Sequence, residues 1–263
     1  MTSTESASSL VSSPHDDPTH GNALRRAGVW SAVRSPEGVV ILTATVCVTL
    51  LWEYGRKDAF FRQFAEFVSS WPYPGLWPSA YIGVSSVLLR TVVPLVVIVL
   101  ILRARPSSYG YALPKSWRSG RIYLAMLAIM TPVVWVAAGT EAFQSTYPWV
   151  PEVRDSWRAL LLWEVFYLAI FVSGESFWRG FLVFGLFRRF GYHAVSISMV
   201  PYVMIHFGKP IVETLGAIVA AYALGYLALK HRTFVWGVVV HFGVALMMDV
   251  FALLRGPGLP RAW

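Results

Sequence analysis

Residues 159–187 read ALLLWEVFYLAIFVSGESFWRGFLVFGLF. The run exceeds the ~20 residues a helix needs to cross a bilayer, yet it holds Glu164, Glu175 and Arg179 in its interior. An ionised side chain at the bilayer centre costs about 2.5–3.5 kcal/mol on insertion scales, so these charges call for partners. Glu175 and Arg179 stand at i and i+4, on one face of a helix, where they can pair. A salt bridge that fixes helix packing is one reading of such a pair. A reactive group held inside a helical bundle is the other. The run is long enough to span with a tilt, or to break near Gly174 into two pieces.

The rest of the chain has the same character. Of its 263 residues, 56% are hydrophobic and 14% charged, with a mean hydropathy of +0.55. Soluble domains carry about 25% charged residues, so the composition favours an integral membrane protein over a large soluble domain with buried helices. Further apolar runs occupy 38–54, 80–102, 122–140, 192–207, 211–229 and 233–254. Together they predict an all-α, polytopic transmembrane helical bundle of seven spans, or eight if the chain folds back at Gly174. Trp and Tyr, twelve each, suit the aromatic belts at the two interfaces. The segment RKDAFFRQFAEF, 56–67, has the pattern of an amphipathic helix lying in the interface. Residues 1–34 read as a disordered polar tail and 35–263 as the transmembrane domain. The tail has no basic region followed by an apolar one, so it does not read as a signal peptide.

The net charge of +8 does not point to nucleic acid. Lys and Arg fall mainly between the apolar runs, as juxtamembrane anchors. The segments that face the cytoplasm when the N-terminus is cytoplasmic carry the greater share of them, which favours that orientation. The lone Cys47 lies in an apolar run and forms no intramolecular disulfide.

Two histidines join the charged pair: His206 in PYVMIHFGKP and His241 in GVVVHFGVALMMD. A single histidine on a transmembrane helix is usually an interhelical hydrogen bond. Two on separate helices, with Glu175 and Arg179 on a third, can hold a water. The carboxylate can take its proton, and the imidazoles can orient it, stabilise an oxyanion or bind a metal. Arg179 can position Glu175 and keep it ionised. Ser173 and Ser176 flank Glu175, but no G-x-S-x-G elbow is present for a serine mechanism.

The order ESFWRG, YVMIH, HFGVA resembles the CPBP family, which holds the CAAX prenyl endopeptidases and the bacterial Abi, or bacteriocin-processing, proteins. The resemblance covers about 158–254. It implies a glutamic-type intramembrane protease architecture, with the site in a cavity inside a helical bundle of a bacterial plasma membrane. Glu175 and Arg179 fall in the first motif, Tyr202 and His206 in the second, His241 in the third. It implies membrane lipid and a membrane-anchored peptide, prenylated or leader-like, as partners, and no cofactor. A zinc ion held by two His and a Glu is the alternative to water alone. Two positions depart from the pattern. Gly174 stands where the first of two adjacent glutamates is usual, and Ala245 where an Asn is usual.

Three other acids are candidates for supporting roles. Glu213 follows His206 across GKPIV and can fix the imidazole tautomer. Asp249 lies eight residues after His241, rotated by about 80° and ~12 Å away. Glu164 lies on nearly the same face as Glu175 but ~16 Å along the axis. The leading expectation is a CPBP-type membrane peptidase acting by water activated by Glu175 and the histidines. The alternatives are a catalytically inactive binding, immunity or assembly protein on the same fold, which the two departures favour, and a transporter using the charges as a relay. No inverted repeat supports the last.

Overall fold

The structure is a computed structural model that describes residues 28–68 and 70–263. Residues 1–27 of the expected polar tail lie outside the described residues, and Val29–Arg34 form a short helix, α1. Then follow α2 (Pro36–Tyr54), α3 (Lys57–Val68), α4 (Pro74–Ile101), α5 (Trp117–Ala137), α6 (Trp157–Phe190), α7 (His193–Met204), α8 (Ile211–His231) and α9 (Val235–Arg255). Among the described residues, α2, α4, α5, α6, α8 and α9 are the six helices long and apolar enough to cross a membrane.

Local chemistry starts these helices where they start. Ser35 accepts from the Gly38 N–H at 3.0 Å and Pro36 fills the first helical position of α2. Ser156 caps α6 through the Ala159 N–H. α6 ends at Gly191, whose φ of +54° suits a residue without a Cβ.

The central element is α6. It runs parallel to α4: the Tyr73 and Ser156 hydroxyls meet at 3.2 Å at one end, and Thr91 and Ser176 meet at 2.8 Å further along. Between them Gly83 lets the backbones approach; a Cβ there would sit 3.3 Å from the Phe166 carbonyl oxygen. α6 runs antiparallel to α9, with Trp163 opposite Asp249 and Glu175 opposite Gly237. α9 also lies parallel to α5, where Thr131 reaches the Met247 sulfur at 3.3 Å. α7 pairs antiparallel with α8 through Ser196 and Tyr222, 3.0 Å apart.

Two sets of contacts define the two ends of the bundle. At one, the Thr233 hydroxyl donates to the Ala112 carbonyl at 2.6 Å, and the Tyr123 hydroxyl meets His231 Nδ1 at 3.0 Å. At the other, Glu152 accepts from the Gly75 N–H at 2.6 Å and Ala262 from the Trp157 N–H at 2.9 Å.

The fourth apolar run does not fold back at Gly174. It continues as one helix whose turns widen to π geometry over Ser176–Phe184. The Ser176 hydroxyl sits between the Ser173 carbonyl at 2.9 Å and the Arg90 carbonyl at 3.3 Å, which ties the first wide turn to α4. π turns of this kind recur at functional sites. The fifth run is short. The 12 residues of α7 span about 18 Å, less than the ~30 Å hydrocarbon core, so the chain turns back with His206 inside the bundle.

Candidate active site

Glu175 closes the regular part of α6 and is 0% exposed. About 27 Å of helix separates it from Trp157 and about 22 Å from Phe190, so it lies deep in the bundle. Its Oε1 is 3.1 Å from Arg179 Nη1, one turn on. The same oxygen is 2.8 Å from His241 Nδ1 on α9. The spacing that suggested the Glu–Arg pair is thus realised, and one oxygen takes both partners. The arginine contact is an ion pair without hydrogen-bond alignment, and Glu175 Oε2 and Arg179 Nη2 have no hydrogen-bond partner among the described residues. Arg179 is 2% exposed and its guanidinium lies 4.1 Å over the Tyr202 ring, a cation–π contact.

A carboxylate oxygen only accepts, so Nδ1 of His241 carries a proton, and in the neutral ring Nε2 keeps the lone pair. The His241 side chain is 24% exposed, more open than the acid it holds. Phe171 packs its ring against the imidazole at 4.5 Å between centroids. The Tyr202 hydroxyl lies 3.5 Å from His241 Nε2.

His206 joins through Tyr202. Its Nδ1 donates to the Tyr202 carbonyl at 2.9 Å, and the two rings lie 4.8 Å apart. That bond fixes the tautomer with the lone pair on Nε2. No contact joins His206 to Glu175 among the described residues. Nor do three His, Cys, Asp or Glu side chains converge there to hold a metal ion, so Glu175, His206 and His241 are not assembled as a zinc ligand set.

The three supporting acids sit elsewhere. Glu213 does not bond His206. It accepts from the Tyr147 hydroxyl at 2.7 Å and pairs with Lys209 at 2.5 Å. The last turn of α7 gives His206 a backbone carbonyl instead, that of Tyr202, and Glu213 faces the 138–156 connection. Burial, with the Glu213 carboxylate beside it, holds the Tyr147 phenol well above its ordinary value and keeps it a donor. Asp249 is 0% exposed and accepts from Trp163 Nε1 at 2.6 Å. Glu164 has both oxygens buried without a partner among the described residues. Ser173 and Ser176 donate to backbone carbonyls of α6, and neither hydrogen-bonds a histidine or carboxylate among the described residues.

Two contributors escaped the sequence reading. Gly237 faces Glu175: a Cβ there would lie 2.6 Å from Oε2. Phe171 ends the line Trp163, Tyr167, Phe171, in which Trp163 stacks on Tyr167 and Phe171 meets Tyr167 at a tilt, down one face of α6. The i, i+4 spacing was the signal for both, since Gly237 precedes His241 and Phe171 precedes Glu175 by one turn. Around Gly174 there is open space, where an added Cβ meets nothing within 4 Å. Ala245 is buried in apolar packing. Two surface pockets, of about 380 and 270 Å³, lie against α4 and touch none of these residues.

No match was found among curated proteins or among solved structures. Residues 156–247, which carry α6 to the middle of α9, match the family described as Type II CAAX prenyl endopeptidase Rce1-like. Glu175, Arg179 and both histidines lie inside the matched segment, so the similarity to that family falls on α6–α9, the part of the bundle that carries the site.

Proposed function

We propose that the chain is an intramembrane endopeptidase of the CPBP type, hydrolysing a membrane-anchored peptide with activated water. The observation that carries this reading is the 2.8 Å bond between the fully buried Glu175 carboxylate and His241 Nδ1. It leaves the Nε2 lone pair as the more accessible base. The division of labour therefore differs from the sequence expectation: Glu175 orients and His241 takes the proton. A carboxylate behind the imidazole holds the tautomer and stabilises the imidazolium as it forms. Arg179 supplies the counter-charge and holds Glu175 in place.

In the reaction, His241 Nε2 accepts a proton from water as the water oxygen bonds to the scissile carbonyl carbon. The carbonyl electron pair moves onto oxygen. When it returns, the carbon–nitrogen bond breaks and the imidazolium gives its proton to the leaving amine. The products are a carboxylic acid and an amine, and the site is restored. A positioned base of this kind contributes about 10²–10⁴-fold. Metal is not needed by this scheme, and turnover is expected to survive exhaustive chelation; activity lost on chelation and restored by zinc would replace it with a metal mechanism.

The test uses the purified protein in phosphatidylcholine vesicles with internally quenched peptides anchored by a C-terminal lipid, with and without an isoprenyl thioether. Cleavage by wild type and its loss in His241→Ala are expected. Anchored peptide bound but never cut by folded protein would sink the peptidase reading and favour the binding-protein alternative.

A further inference from the structure

Water activation accounts for one half of such a reaction; the other half is the negative charge that develops on the carbonyl oxygen. That charge needs a hydrogen-bond donor within about 2.7–3.1 Å of where the oxygen will sit. His206 does not supply one in its neutral form, because its proton is on Nδ1 and is given to the Tyr202 carbonyl at 2.9 Å. Ala245, one turn beyond His241, has no polar side-chain atom. Arg179 lies over the face of the Tyr202 ring and against Glu175 Oε1.

One neutral donor remains beside the base. The Tyr202 hydroxyl stands 3.5 Å from His241 Nε2, a loose contact that an entering water or carbonyl oxygen can replace without moving either ring. Tyr202 is 2% exposed and held on several sides. The Arg179 guanidinium covers its ring at 4.1 Å, Trp178 packs edge-on, and its carbonyl is tied to His206. The hydroxyl is therefore preorganised, and the guanidinium adds positive field at the same place.

We propose that Tyr202 is a catalytic residue whose hydroxyl donates to the oxyanion formed when water attacks the scissile carbonyl. This assignment rests on the peptidase reading above. No proton is transferred from the phenol: it hydrogen-bonds the oxyanion, and the proton from water travels through His241 to the leaving amine. In the resting site the same hydroxyl donates to Nε2.

Tyr202→Phe keeps the ring beneath Arg179 and the carbonyl that fixes His206, and removes the hydroxyl alone. With the quenched, lipid-anchored peptides as substrate, kcat is expected to fall about 10²–10³-fold with KM within twofold and the thermal midpoint close to wild type. A kcat within threefold of wild type overturns the assignment and leaves His241 chemistry standing. If the Phe variant folds poorly, 3-fluorotyrosine at position 202 replaces it. A more acidic phenol should move the alkaline limb of the kcat–pH profile downward, and an unmoved limb overturns the assignment. Wild type that cuts no peptide overturns the peptidase reading and this assignment together, so the two failures are distinguishable.

Discussion

Glu175 Oε1 carries two partners, and each can be removed separately. Glu175→Gln keeps the size but leaves Arg179, 2% exposed, without its counter-charge. Breaking a buried pair from one side costs about 3–5 kcal/mol. The expected result is a lowered thermal midpoint in detergent together with lost cleavage; an unaltered midpoint would show that Arg179 does not depend on this carboxylate. Arg179→Lys keeps the charge and gives up the planar stack on Tyr202. A desolvated cation–π contact is worth about 2 kcal/mol, so a smaller loss of stability is expected, with turnover reduced about tenfold or more. A Lys variant with wild-type turnover would remove Arg179 from the positioning role. At this scale the sequence was legible where side chain meets side chain on one helix, as at Glu175 and Arg179. It was not legible where a backbone atom is the partner. His206 is fixed by the Tyr202 carbonyl, and nothing in residue spacing distinguishes that from the carboxylate of Glu213.

The pairing of α6 with α9 brings Glu175 to His241, and Gly237 sets how closely the helices meet there. Gly237→Ala removes no polar group, yet its methyl would fall 2.6 Å from Glu175 Oε2. Either the carboxylate or the helix must yield, at a cost of about 1–3 kcal/mol for overpacking. Reduced thermal stability and reduced turnover are expected together; full activity with an unshifted midpoint would mean that the interface relaxes freely. Long spans such as 157–190 and 235–255 were legible because apolar length alone marks them. The π widening after Glu175 was not, since SFWRGFLVF has the apolar content of ordinary helix and the turn is tied from outside, by carbonyls and hydroxyls of α4. The brevity of α7 was also hidden. Its run looks like a span, and only the turn holding the His206 carbonyl to Thr214 at 2.9 Å stops it short.

Across the whole molecule, the contacts at the two ends order the connections in alternation, with 102–116 and 232–234 at one end and 138–156 and 256–263 at the other. Cys47 is buried, so cysteines introduced at exposed Ser107 and Ser145 can be read against a silent background. With the N-terminus cytoplasmic, Ser145→Cys should react with an impermeant maleimide on intact cells and Ser107→Cys only after permeabilisation. The reverse pattern would invert the bundle, and labelling of both from outside would break the alternation. The Lys/Arg distribution suggested this orientation, but the joining of distant connections at one end was invisible to it, because those bonds run between stretches that share no pattern. One such bond has a practical side. The Trp157 amide, in the opening turn of the helix that carries Glu175, is satisfied by the Ala262 carbonyl. A protease that cuts within residues 256–261 would detach a hydrogen-bond acceptor from the start of α6. Fraying would begin there and run toward the carboxylate, so such a cut during purification would register as slow loss of function with every inner side chain still in place.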